Sequence, residues 1–414
     1  MLIDFIDKHN VLSNKQFGFR KGYSTTHAII ELTDKLAKAF ENKHIVIGLF
    51  LDLSKAFDCM SHSILLKKLH FYGIRGCALQ WFESYLCNRE QYVSIDKHDS
   101  GSKSVTVGVP QGSNLGPLLF LLYVNDLQHI SDVLSIILFA DDTSVFLSGN
   151  DPLELNEIFN LELKKMQSWF TANKLYINQD KTCYMIFKNR NSKTQDKDIY
   201  VELNNTRIKR ETKTKFLGVI IDENLSWKEH VNYIALKISR AIGILYCLKD
   251  ILPLRILTNL YNCLILPHLM YCNIVWGTCS LKLLHTLFML QKRAIRTISK
   301  SNYLAHTKPI FKKLKLLNIY DINRLQVASF MYSYYYKLLP TNCNKYFEYN
   351  HKNNRYITRN SNKLNIPFYL YNFSRTTIRY IGPQSWNLLP DTFKISLDIN
   401  SFRENYKLYL LSTH

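Results

Sequence analysis

Apolar runs of strand length alternate along this chain with longer stretches of helical period. Residues 45–51 carry Ile45, Val46, Ile47, Leu49 and Phe50 almost without interruption, the pattern of a strand buried on both faces. Residues 136–140 and 143–147 are equally apolar and β-prone, and only Asp141 and Asp142 separate them, so they predict a tight hairpin with acid at its tip. Residues 91–95 and 103–107 alternate polar and apolar and predict a second hairpin, turning through Asp99-Ser100-Gly101. Helical spacing dominates elsewhere. Residues 1–42 read as mostly helical around a loop at Arg20, with Ala28, Ile29, Leu32, Leu36 and Phe40 on one face. Residues 61–69 predict a helix capped by Ser61 and broken by Gly73 and Gly76; residues 79–86 predict another. Gly116-Pro117 opens an apolar helix to about residue 127. Asp151-Pro152 starts one over 153–172 whose buried side is Ile158, Leu161, Met166, Trp169 and Phe170.

Beyond a polar loop at 189–197 the pattern turns helical again from Trp227, through His230, Ile234, Ile238 and Ile242, and continues over 245–270 with interruptions at Pro253 and Pro267. Lys292, Arg293 and Arg296 follow as a basic cluster. Residues 304–414 are basic and tyrosine-rich, as at Tyr332, Tyr334, Tyr335 and Tyr336. Asn353-Asn354-Arg355 and residues 359–363 read as exposed loop, and Arg375, Arg379 and Gly382-Pro383-Gln384-Ser385-Trp386-Asn387 as preceding a last amphipathic piece.

With 414 residues, 47% of them hydrophobic, the chain can bury a large core and more than one domain. Fifty-three Lys and Arg against 33 Asp and Glu leave a formal net charge of +20, which favours a polyanionic partner bound in a salt-dependent way. No apolar run approaches a membrane span and no signal-peptide pattern opens the chain, so nucleic acid is preferred over a membrane surface. The nine Cys are scattered and odd in number, which fits reduced thiols in cytosol or nucleus. Cys263, His268, Cys272 and Cys279 lack the close paired spacing of a zinc site.

The acids carry the chemistry. An Asp-Asp pair alone reads as a solvated turn. Here its flanks are apolar, and a second strand-like run ends in acid at Asp52. Set side by side, the two strands would bring Asp52 near Asp141. Three carboxylates so placed can hold two Mg²⁺ ions, because magnesium prefers a few carboxylates plus water and phosphate oxygens to a full protein cage.

Six blocks in order then resemble the reverse transcriptases of non-LTR retrotransposons, the jockey- and CR1-like lineages in particular. Gln16-Phe17-Gly18-Phe19-Arg20-Lys21-Gly22-Tyr23-Ser24-Thr25 is similar to the fingers motif and residues 50–62 to the first palm motif. Gly108-Val109-Pro110-Gln111-Gly112-Ser113-Asn114-Leu115-Gly116-Pro117 is similar to the second, and Phe139-Ala140-Asp141-Asp142-Thr143 to the third. Asn173-Lys174-Leu175 with Asn178, Lys181 and Thr182 is similar to the fourth, and Phe216-Leu217-Gly218-Val219 to the primer grip. The resemblance implies an RNA-directed DNA polymerase with Asp52, Asp141 and Asp142 as the catalytic, metal-binding triad for two Mg²⁺ ions, with Mn²⁺ as the alternative. It implies an RNA template, a DNA primer, the RNA–DNA hybrid and deoxynucleoside triphosphates as partners. In the nucleotide site, Phe57 is similar to the aromatic residue that disfavours a 2′-hydroxyl. Arg20 is similar to a fingers arginine whose planar fork suits phosphate. Gln111 and Gly112 resemble the loop beside the nascent base pair, and Lys181 is a candidate proton donor to pyrophosphate. Phe216, Leu217 and Gly218 resemble the turn that holds the primer end.

The expected fold is α/β (α+β): a right-hand polymerase palm with partial fingers, a helical thumb and a mostly helical C-terminal extension. The corresponding divisions are 1–43, 44–225, 226–300 and 301–414. Earlier fingers blocks and an upstream endonuclease are expected to precede residue 1, as in a truncated element. The rivals are a non-catalytic nucleic-acid-binding remnant and an RNA-copying RNA polymerase, the latter disfavoured by Ala140 and Phe57.

Overall fold

The structure is a computed structural model that describes residues 2–110, 112–189, 198–350 and 363–413. It divides into two compact units, residues 1–24 with 43–212 and residues 25–42 with 213–414. The mixed α/β fold expected from the sequence is the one observed.

The first unit is built on a five-stranded sheet. From one edge its order is Ser135–Phe139, Asp142–Gly149, Ile45–Leu51, Cys183–Phe187 and Lys209–Arg210. All neighbours are antiparallel except the last pair, which is parallel. All seven residues of Ile45–Leu51 are buried, as its unbroken apolar run requires of a central strand covered on both faces. Gly48 is where the two flanking strands close in, since a Cβ there would lie 2.9 Å from both the Phe146 and Phe187 rings. Helices His62–Phe71, Gly116–Val124 and Pro152–Ala172 complete the core, with Leu65, Leu69, Phe120, Leu122, Phe159 and Leu163 all fully buried. Each such side chain contributes about 1.5–3 kcal/mol by leaving water. Asp151 caps the last of these helices by accepting from Leu153 N at 3.0 Å.

Several local expectations need correction. Ser61 occupies the N-cap position of His62–Phe71 but makes no capping bond, because its hydroxyl pairs with Ser63 Oγ. In Pro152–Ala172 Leu161 is 59% exposed, and the buried stripe runs through Leu155, Phe159, Leu163, Met166 and Phe170. The exposed hairpin is also broken. Arg89–Gln91 pairs with Lys103–Val105, while the tight turn falls at Asp96-Lys97 between Ser94–Ile95 and His98–Asp99. Both turn residues adopt positive φ (50° and 68°), the geometry that matches strand twist in a two-residue hairpin. The polar loop at 190–197 and the loop segments at 353–355 and 359–362 lie outside the described residues.

The second unit carries helix Thr25–Glu41, the ribbon Lys213–Phe216 with Val219–Asp222, and then helices to the C-terminus. Asp222 organises the entry to helix Lys228–Leu248 by accepting from the amides of Asn224, Ser226 and Trp227 at 3.1 Å. That helix corrects one expectation, since by length and composition it is apolar enough to cross a membrane. Its apolar side is partly spent inside the unit, where Val231, Ile234, Ile238, Ile242 and Leu245 are buried. Farther on, buried Gln291 donates to Tyr261 Oη and Leu317 O and accepts from Ile319 N, which locks helix Leu281–Ile298 to the chain that follows it.

The tyrosine-rich tail folds as a core. Tyr332 is buried with its ring 4.6 Å from that of Phe402, while Tyr334 and Tyr336 donate to Phe347 O and Lys394 O. Gly382 and Pro383 lie inside helix Ile378–Leu388, ahead of the last helix, Ile399–Ser412. Pro383 forgoes one helical bond. A Cβ on Gly382 would meet Met331 Sδ at 2.6 Å, so glycine is what lets the two helices touch there.

Candidate catalytic site

Ala140 and Asp141 form a two-residue turn, and Asp142 opens the strand that follows it. Phe139 pairs with Asp142, and Ala140 takes φ +56°, a left-handed backbone that is uncommon outside glycine. The turn is held from below. Gln16, 2% exposed, accepts through Oε1 from Gly18 N at 2.8 Å and from Ala140 N at 3.0 Å. Phe17 N also donates to Leu138 O, and Leu138 N to Lys15 O, so residues 15–18 run alongside the strand end.

Asp52 arrives on the adjacent strand. The antiparallel register pairs Leu51 with Thr143, so Asp52 is level with Asp142 and one step from Asp141. Its backbone is gripped from the other side: Asp52 N donates to Thr182 Oγ1 at 3.3 Å, Asn178 N donates to Asp52 O at 2.8 Å, and Thr182 Oγ1 donates to Asn178 O at 2.7 Å. Lys181 from the same segment brings Nζ to 3.8 Å from an Asp52 carboxylate oxygen.

Asp142 sits in the field of the other two acids. Asp142 reaches solvent, yet its carboxyl is pushed up to about 6. Burial against the apolar strand ends contributes most, then the charges of Asp141 and Asp52. A divalent cation would reverse all three effects, so the donor set fits one. Among the described residues no three His, Cys, Asp or Glu side chains converge closely enough to form an ion cage by themselves. Two or three carboxylates completed by phosphate oxygens and water is the arrangement magnesium favours.

The other expected residues fall as follows. Phe57 packs its ring 4.5 Å from Phe120 and edge-on to Phe19, half-buried in the same unit. Arg20 folds onto its own loop, donating to Ser13 O at 2.6 Å and Gln16 O at 3.3 Å and stacking 4.4 Å over Tyr23. Gly112 is exposed with φ +82°, and a Cβ there would meet nothing within 4 Å, so backbone geometry and not crowding selects glycine. Gln111 lies outside the described residues. Phe216, Leu217 and Gly218 belong to the second unit, where Leu217 (φ +45°) and Gly218 (φ +83°) form the two-residue turn of a ribbon. Tyr271 supports that turn by donating to Leu217 O at 2.7 Å.

Gln16, Thr182 and Tyr271 are the supporting residues that the sequence did not single out for a role. The first two lie within recognised motifs, which was the available signal. Tyr271 had none.

The chain is 29% identical over 317 residues to the RNA-directed DNA polymerase from mobile element jockey of Drosophila melanogaster, covering 74% of this chain and 34% of the relative. It is 27% identical over 331 residues to the probable RNA-directed DNA polymerase from transposon BS of the same species, covering 76% and 36%. The chain thus spans about a third of the length of these relatives. Among solved structures, apo telomerase from Candida tropicalis aligns with 78% of this chain and 53% of its own, at 13% identity and a TM-score of 0.42. The family model for "Reverse transcriptase (RNA-dependent DNA polymerase)" matches residues 1–221, and the chain belongs to that reverse transcriptase family.

Proposed function

We propose that this chain is the polymerase part of a non-LTR retrotransposon reverse transcriptase, copying RNA into DNA by adding deoxynucleotides to a primer 3′-hydroxyl. The observation that carries the reading is the meeting of Asp52, Asp141 and Asp142 at adjacent strand ends, with Asp142 held well above the usual carboxylate range by burial first and then by the charges of the other two. We read 1–43 as partial fingers, 44–225 as palm, 226–300 as thumb and 301–414 as an extension, working in cytoplasm or nucleus.

Asp52, Asp141 and Asp142 would hold two Mg²⁺ ions, or Mn²⁺ in their place. When bound, such a pair lowers the pKa of the primer hydroxyl and neutralises phosphate charge. The chain's own part is position and electrostatics. The primer oxygen forms a bond to the α-phosphorus, the α–β bridging bond breaks, and pyrophosphate leaves. Lys181, whose Nζ lies 3.8 Å from an Asp52 carboxylate oxygen, would give that leaving group a proton. Phe57 presents a ring against which a 2′-hydroxyl has no room. Gln111 and Gly112 border the nascent pair, and the open space around Gly112 lets backbone approach it. Arg20 contributes positive charge from the loop that also supports Ala140. Phe216, Leu217 and Gly218 grip the primer end. The formal charge of +20 supports RNA template, DNA primer and their hybrid as partners.

The test is primer extension on an RNA template with Mg²⁺ and deoxynucleotides, comparing the chain with its Asp141→Asn/Asp142→Asn variant. Extension by the native chain alone is expected. No extension by either, with salt-sensitive template–primer binding retained, would leave a nucleic-acid-binding chain without turnover.

A further inference from the structure

From residue 251 to residue 320 the chain carries ten Lys and Arg and no Asp or Glu. Part of this stretch, in the second unit, encloses an open cavity of about 390 Å³. One wall is helix Leu281–Ile298, where Phe288, Lys292 and Arg296 recur every four residues and so share a face. The other wall carries Lys308, Phe311 and Lys312 from the short helix that follows. Lys292 Nζ lies 4.5 Å from the Phe288 ring centre. The Phe288 and Phe311 rings both line the cavity, their centres 6.4 Å apart and their planes within 17° of parallel. Arg296 is fixed at the rim, its Nε donating to Ala305 O at 2.9 Å. Among the described residues no carboxylate lines the cavity. The next acid along the chain, Asp321, is fully buried and paired with Arg324.

Four cations around one cavity repel each other unless an anion enters. Two phenyl faces offer a flat aromatic group a place to stack. The volume falls in the range of pockets that enclose small ligands. Phosphate alone would leave the rings unused, and an apolar ligand would leave the cations unused.

We propose that this cavity binds one nucleoside phosphate unit, its base on Phe288 and Phe311 and its phosphate among Lys292, Arg296, Lys308 and Lys312. The unit comes either as a free nucleotide or as an unpaired nucleotide of a single strand. The site is separate from the carboxylate triad and does not depend on the polymerase reading.

The experiment titrates the full chain, at two salt concentrations, with a labelled single strand of about ten nucleotides, the matching duplex, AMP and inorganic phosphate. Lys292→Glu/Lys312→Glu is expected to weaken single-strand binding about tenfold or more and to flatten its salt dependence by about two counterions. Phe288→Leu is expected to weaken it about fivefold or more with an unchanged salt slope. A strand bearing 4-thiouridine should crosslink within residues 281–312. Competition by AMP at concentrations similar to the strand's assigns the free nucleotide as the source, and competition by strand alone assigns the unpaired one. Native binding by the lysine variant, equal binding of the duplex with equal losses, or crosslinks only elsewhere would overturn the proposal. If Phe288→Leu fails to fold, the two lysines, whose side chains reach solvent, still decide it.

Discussion

The side-chain oxygen of Gln16 accepts a hydrogen bond from the amide of Ala140 at 3.0 Å, and the same oxygen takes Gly18 N at 2.8 Å. One buried atom therefore ties the first motif to the turn that presents Asp141 and Asp142. Gln16→Ala strands both amides without a partner and should cost about 2–4 kcal/mol. Gly18→Ala should do comparable harm, because its Cβ would stand 2.3 Å from Ala140 N. Urea unfolding measures both. An unchanged midpoint in Gln16→Ala would mean that the oxygen does not hold the turn.

Ala140 occupies a left-handed backbone at φ +56°. Glycine adopts that conformation without steric cost, while alanine gives up about 1 kcal/mol. Ala140→Gly should leave stability unchanged or raise it by up to about 1 kcal/mol. A loss of more than that in thermal melting would show that the buried methyl contributes more than the strain removes.

Asp142 titrates near 6 in the folded chain against 3.8 unfolded. The folded state therefore holds this proton more tightly, and the stability it brings is full below about pH 4 and lost as pH rises through 6. With a chelator present, Asp142→Asn should raise the melting temperature at neutral pH and leave it nearly unchanged at pH 4. Adding Mg²⁺ should stabilise the native chain at neutral pH more than at pH 5, and the Asn variant less at either. Equal Mg²⁺ effects in both proteins would remove Asp142 from the ion site.

His230 behaves in the opposite sense. It is 2% exposed, its Nδ1 accepts from Ile220 N at 3.3 Å, and burial pushes it down to about 4. Here the unfolded state binds the proton more tightly, so the contribution is complete above about 6.5 and lost as pH falls through 4. At full expression it amounts to about 3 kcal/mol. His230→Gln keeps an acceptor without titrating, and should flatten the stability curve between those limits. A curve that keeps the native slope would place the acid sensitivity elsewhere.

Thr182 positions Asp52 through its hydroxyl, which accepts from Asp52 N and donates to Asn178 O. Thr182→Val should cost about 1–2 kcal/mol. Because it loosens the carboxylate's support without removing charge, kcat for primer extension should fall while KM for the nucleotide changes little; Thr182→Ser should restore kcat. An equal rise in KM, or no rescue by serine, would make Thr182 a packing residue only.

The sequence by itself determined the strands and the acids. An unbroken apolar run such as 45–51 has one economical use, burial at the centre of a sheet. Acids at the ends of such runs carry a desolvation cost that a cation would relieve, which is why the expectation of a metal-binding set arose before any fold. The tertiary structure alone decided what depends on distant partners. The Leu51–Thr143 register, and not spacing, set Asp52 level with Asp142. Gln16 and Thr182 looked like ordinary polar residues, because a hydrogen bond to backbone far along the chain leaves no periodic trace. Leu161 kept helical spacing but faces water, since the packing partners, and not the period, choose which stripe is buried. Pro383 lies within a helix that rests on Met331 at Gly382, a contact with a residue about fifty positions away that no local pattern announces. The tyrosines of the tail could equally have served ligands, and their rings and hydroxyls are largely spent on one another and on local backbone.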